Sequence, residues 1–132
     1  MNRLILLLTF IFLNSFLFSQ ENDEITNSFQ IYCGDQISSS TSGSNSDQEY
    51  LLNVGLADCG TTVDTAPGVW YSFIGTDEII QLNMCGSNYD TKLHVFQDDG
   101  FNLICIAGND DSDCENYLHS KINFFSEYDA NY

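Results

Sequence analysis

Apolar positions in this chain follow two regimes. Before residue 20 they form a nearly solid block, covering residues 4–8, 10–13 and 16–18. After it they fall in short runs that alternate with polar positions, divided by loops rich in Gly, Asn, Asp and Cys. The clearest runs cover residues 69–74, 79–84, 92–96, 103–107 and 120–125. Alternation with period two, carried by β-branched and aromatic residues, predicts strands. In the first run Val69, Tyr71 and Phe73 share one face and Trp70, Ser72 and Ile74 the other. In the second, Ile80, Leu82 and Met84 oppose Ile79, Gln81 and Asn83; in the third, Leu93 and Val95 oppose Lys92, His94 and Phe96. No window sustains a helical period, and the sole proline, Pro67, lies outside the runs. Asp98-Asp99-Gly100 reads as a hairpin tip, and residues 61–67 as a turn into the strongest strand. Residues 38–47, rich in Ser, Thr, Gly and Asn, read as a polar edge strand and loop, with a linker as the alternative. About six or seven such strands predict an all-β fold, an antiparallel β-sandwich of jelly-roll-like rather than immunoglobulin order. Trp70 reads as a packing residue before a ligand-stacking platform.

The apolar block changes the domain boundaries. Arg3 precedes it and the small residue Ser19 closes it, so residues 1–19 read as a secretory signal peptide cleaved after Ser19. A membrane anchor is the competing reading, opposed by Asn14 and Ser15 within the block and by the lack of basic residues after Phe18. Residues 20–32 read as a flexible acidic lead-in and residues 33–132 as one domain. The formal charge of the chain is −16, from 19 acidic residues against Arg3, Lys92 and Lys121. Nucleic acid and anionic membrane are bound through phosphate neutralisation by Lys and Arg, so neither is an expected partner once the signal peptide is gone. An acidic surface of this kind suits an exported protein or one that collects divalent cations.

Five cysteines, all after residue 19, fit an oxidising compartment. They allow two disulfides and one leftover, in several arrangements. Cys33-Gly34 and Cys59-Gly60 share a local sequence and read as one bridge; Cys105 and Cys114 flank an Asn/Asp-rich loop and read as a second, leaving Cys85 odd. Each closure is worth about 2.5–3.5 kcal/mol in the chain-entropy model. No CxxC pair exists, which disfavours zinc.

Candidate chemistry concentrates in the loops. Asn109, Asp110, Asp111 and Asp113 place hard oxygen ligands at close spacing, as a calcium loop does. They do not form an EF-hand, because Cys114 stands where the required glycine would be and no glutamate closes the loop. A calcium site would need another loop, and Asp90 is its natural contributor. The competing reading is that Asp90, Asp110 and Asp111 cap turns by accepting backbone N–H bonds. His94 and His119 are the only side chains that titrate near neutral pH, and each reads as a packing or surface residue rather than a base. No Gly-x-Ser-x-Gly occurs, and no catalytic residue is assigned. Asp64-Thr65-Ala66 resembles a short O-glycosylation signal of some Gram-negative bacteria.

A larger resemblance rests on an ordered set of segments: Cys33-Gly34-Asp35, residues 66–73 (APGVWYSF), Cys85-Gly86-Ser87, residues 89–93 (YDTKL), Val95-Phe96 and residues 105–111 (CIAGNDD). In this order they resemble the bacterial pre-peptidase C-terminal domain across residues 31–132. The resemblance implies a small jelly-roll-like β-sandwich, non-catalytic, in secreted and often multidomain proteins. Some such domains are similar to collagen-binding domains and some bind calcium. The family often carries a further cysteine where Asp99-Gly100-Phe101 stands here, which would account for an unpartnered Cys85. It also continues with two further strands, whereas this chain ends at Ala130-Asn131-Tyr132. The expectation is therefore an incomplete sandwich with an exposed edge, part of a longer secreted protein. Its partners would be the other domains of that protein and an extracellular protein or glycan. Two alternatives accompany this reading: an N-terminal appendage of a secreted hydrolase, and a calcium-dependent adhesion module.

Overall fold

The structure is a computed structural model, and it describes residues 20–46, 58–63 and 66–132. The expected signal peptide, residue 47 of the Ser/Thr-rich stretch, and Asp64 and Thr65 of the glycosylation signal lie outside the described residues. Within them, a 3-10 turn at Ile25–Asn27 precedes six strands: β1 Phe29–Gln30, β2 Tyr71–Ser72, β3 Glu78–Asn83, β4 Leu93–Asp98, β5 Leu103–Asn109 and β6 Lys121–Ser126. The fold is all-β, without an α-helix among the described residues.

The strands pair in a nested way. The β4–β5 hairpin turns at the tip read from Asp98-Asp99-Gly100, and β3 and β6, the strands flanking that hairpin in sequence, pair with each other. Both pairs are antiparallel, whereas the short β1–β2 pair is parallel. Backbone bonds beyond the strands complete a layer. Phe73 and Tyr132 each donate an N–H to the other's carbonyl at 3.0 Å, and Asp98 N–H donates to Asn131 O at 2.9 Å. Residues 130–132 thereby join the continuation of β2 to β4. One layer runs β1, β2, 130–132, β4, β5; the second is β3 with β6.

The core lies between these layers. Val95, Ile122 and Phe124 are buried, and Phe73, Ile80, Leu82, Leu93, Ala107 and Tyr132 close around them. Ile80 and Leu82 share one face of β3, and Leu93 and Val95 share one face of β4, as the alternation in those two runs requires. In β6, Phe124 is 7 % exposed and its neighbour Phe125 is 54 % exposed, as period-two side-chain direction requires. Phe73, Phe124 and Tyr132 contact each other ring to ring, with centroids 5.1–5.8 Å apart.

Two segments differ from expectation. Residues 38–46 form no strand; they turn, with Ser44 N–H donating to Thr41 O at 3.1 Å. Residues 20–32 are docked rather than trailing. Asn22 is 1 % exposed; its carbonyl accepts Trp70 N–H at 2.7 Å and its Nδ2 donates to Trp70 O at 2.9 Å, while Ile31 N–H reaches Ser72 O at 2.9 Å. The physical reason is that the edge of β2 carries backbone groups that need partners, and a polar segment supplies them as well as an apolar one.

Candidate functional site

The aspartate-bearing loops are positioned by buried polar groups. Ser120 is fully buried, and its hydroxyl contacts the carbonyl oxygens of Thr91, Asn109 and Asp110. A serine hydroxyl has one proton to donate, so it serves as the common point on which three strand ends close. Ser120 N–H donates to Thr91 Oγ1 at 2.8 Å, and Thr91 N–H to Leu118 O at 2.9 Å. His119, 4 % exposed, has its Nδ1 3.0 Å from Cys85 O and its Nε2 3.2 Å from Asn116 Nδ2. It is a packing residue that holds the 85–91 loop.

This framework brings Asp90, Asp110 and Asp111 together, with one carboxylate oxygen of each within 4.8 Å of the others. Ligands around a calcium ion lie 2.3–2.6 Å from it, so that spread fits a shared cation. No backbone N–H of a described residue bonds to these three carboxylates; the turn caps are Asp35, Asp58, Asp98 and Asp99 instead. The other two members of the predicted set are engaged elsewhere. Asp113 pairs with Lys121, whose hydrogen bond and then whose charge hold its carboxyl below the usual aspartate range. Asn109 Oδ1 accepts Lys121 N–H at 3.0 Å, and its Nδ2 donates to Asp111 O at 2.7 Å. Lys92 lies 3.4 Å from Asp110 and already offsets part of the cluster's charge.

The cysteine pairing expected from sequence is corrected. The bridges are Cys59–Cys105 and Cys85–Cys114, and Cys33 is a free, exposed thiol. A β-bulge explains the first. Val95 faces Ala107 but Phe96 faces Cys105, so the bulge at Ile106 puts Cys105 on the face of Phe96 rather than that of Ala107. Cys59 approaches on that outer face. Gly60 crosses β5 at Gly108 so closely that a Cβ would collide with the Gly108 carbonyl, and its φ of +84° also favours glycine. The second bridge joins the two loops that carry the aspartates, so Cys85 needed no cysteine at the hairpin tip.

Trp70 is half-buried against Phe96, with ring centroids 5.8 Å apart, and the His94 ring lies 6.0 Å from that of Phe96. It packs on the outer face of the larger layer.

A second feature was not read from the sequence. A groove of about 590 Å³ runs between β3 and residues 30–37, floored by Phe73 and Ile74. Tyr32, Ile37, Ile79 and Tyr128 line it and are 66 %, 51 %, 75 % and 79 % exposed. The signal available in sequence was Ile79, an isoleucine on the Gln81/Asn83 face of its strand. No protein-family model, curated protein or solved structure matches this chain. The resemblance to the pre-peptidase C-terminal domain therefore rests on the ordered residue set alone.

Proposed function

We propose that this chain is a non-catalytic binding module of a secreted bacterial protein, akin to the pre-peptidase C-terminal domain. The observation that carries the reading is the groove beside β3, where four large apolar side chains stand exposed together. Exposed apolar side chains gathered into one patch mark a surface that meets a partner. Two disulfides are compatible with an extracellular location, and no helix among the described residues is long and apolar enough to cross a membrane. Both histidines are engaged in packing, which supports a binding rather than a proton-transfer role. The ligand is an extracellular protein or glycan, and the module serves whatever chemistry its parent protein performs.

The test is an array of extracellular proteins and glycans probed with the exported chain and with an Ile79→Asn/Tyr128→Ser double variant. Export with removal of residues 1–19, read by N-terminal sequencing, and array binding lost in the double variant are the expected results. Turnover of an arrayed ligand, or failure to bind any of them, overturns the reading.

The convergence of Asp90, Asp110 and Asp111 supports a second reading, calcium-dependent adhesion. Calorimetric titration with calcium is then expected to give one saturating event that Asp110→Ala abolishes. Absence of heat and of thermal stabilisation by calcium sinks it.

A further inference from the structure

The strand beside the groove is bonded on one side only. Met84 N–H donates to Ser120 O at 3.0 Å, and Ser120 is the residue directly opposite it by register. In an antiparallel ladder such bonded pairs alternate with unbonded ones. Glu78, Ile80 and Leu82 therefore spend their backbone groups on β6, while Ile79 and Gln81 point N–H and C=O away from it. Among the described residues none accepts or donates to those outward groups. They repeat every second residue, about 6.8 Å apart, which is the spacing of a complementary strand.

The groove that these groups face has one sign of charge. Asp35, Glu78 and Asp129 line it and are exposed, and no Lys, Arg or His does. Its apolar contacts come from both walls, Tyr32 and Ile37 opposite Ile79. Open backbone donors and acceptors call for an extended polypeptide rather than a sugar ring. The carboxylates call for basic side chains on it. A second copy of this chain is disfavoured, since two chains of charge −16 would meet through acidic surfaces.

Resting on the binding-module reading, we infer that the groove takes an extended segment of a partner polypeptide as an added strand on β3. The segment alternates apolar residues, seated against Ile79 and Tyr32, with Lys or Arg facing Asp35, Glu78 and Asp129. Cys33 lines the same groove and supplies a built-in reporter.

The experiment uses the purified, disulfide-bonded chain and a short synthetic peptide alternating valine and lysine. Binding is read by fluorescence anisotropy and by slowed alkylation of Cys33. Three changes are each expected to weaken binding about tenfold: N-methylation of every second peptide residue, replacement of lysine by glutamate, and Ile79→Asn in the protein. The Ile79→Asn protein should melt as the parent does, because its side chain is exposed. Equal binding of the N-methylated or glutamate peptide overturns the inference, as does self-association of the chain by sedimentation in place of peptide binding. If the valine–lysine peptide fails while the arrays still show a ligand, this inference falls and the binding-module reading stands. If both fail, both fall.

Discussion

At the scale of single residues, the aspartates divide into those that organise backbone and those that do not. Asp99 Oδ1 accepts Asn102 N–H at 2.7 Å and Phe101 N–H at 2.8 Å, and these bonds hold its carboxyl below the ordinary aspartate value of 3.8. A depressed pKa in the folded state means that the bonds stabilise the fold above the unfolded value. That contribution is lost as pH falls through the folded one. Asp99→Asn is therefore expected to flatten the acid limb of the melting-temperature profile below pH 3.8, with the parent's advantage confined to higher pH; superimposable profiles would contradict this. Asp113 titrates with the same sign, through Lys121. The hairpin tip was legible in Asp98-Asp99-Gly100, because short side-chain acceptors next to a glycine form turns without help from distant residues. The cation cluster was only partly legible. Spacing along one loop picked Asn109 and Asp113 as readily as Asp110 and Asp111, and only the partners of Lys121 and the approach of Asp90 separate them.

At the scale of elements, alternation decides which side of a strand carries stability. Phe124 and Phe125 are adjacent and chemically identical, yet one faces Val95 and Ile122 and the other faces solvent. Phe124→Ala should cost about 3–5 kcal/mol, through lost burial plus a cavity. Phe125→Ala should stay within about 0.5 kcal/mol. Urea titration of both variants measures the difference, and equal losses would mean that the β3–β6 register is wrong. The strand runs themselves were readable because side-chain direction in a strand depends only on parity. The turn at residues 38–46 and the docked segment before β1 were not. Their polar side chains say nothing about which distant backbone groups will bond to them, and Trp70, the partner of Asn22, is 48 residues away in the chain.

At the scale of the whole molecule, charge is the dominant feature. With 19 carboxylates in the chain against three fixed cations, Arg3, Lys92 and Lys121, self-repulsion opposes compaction. Raising salt from about 0.01 M to about 0.15 M shortens the Debye length from about 30 Å to about 8 Å. The melting temperature is expected to rise over that range, and a fall would show that the Lys92–Asp110 and Lys121–Asp113 pairs outweigh the repulsion. The same field makes the groove beside β3 selective for a basic partner, so that binding there should weaken as salt rises.

The sequence by itself determined the positions of β3, β4, β5 and β6, which residues share a face of β3 and of β4, and the acidic balance of the surface. These follow from local side-chain geometry and from counting. Tertiary structure alone decided which cysteines meet, because the bulge at Ile106 turns Cys105 to the outer face and a one-residue shift cannot be read from spacing. It also decided that Asp90, the contributor expected from the neighbouring loop, meets Asp110 and Asp111 rather than Asn109 and Asp113, through loops closed on the buried Ser120. The groove arises in the same way, where the one-sided pairing of β3 leaves Ile79 and Gln81 facing Tyr32 and Ile37 across open space.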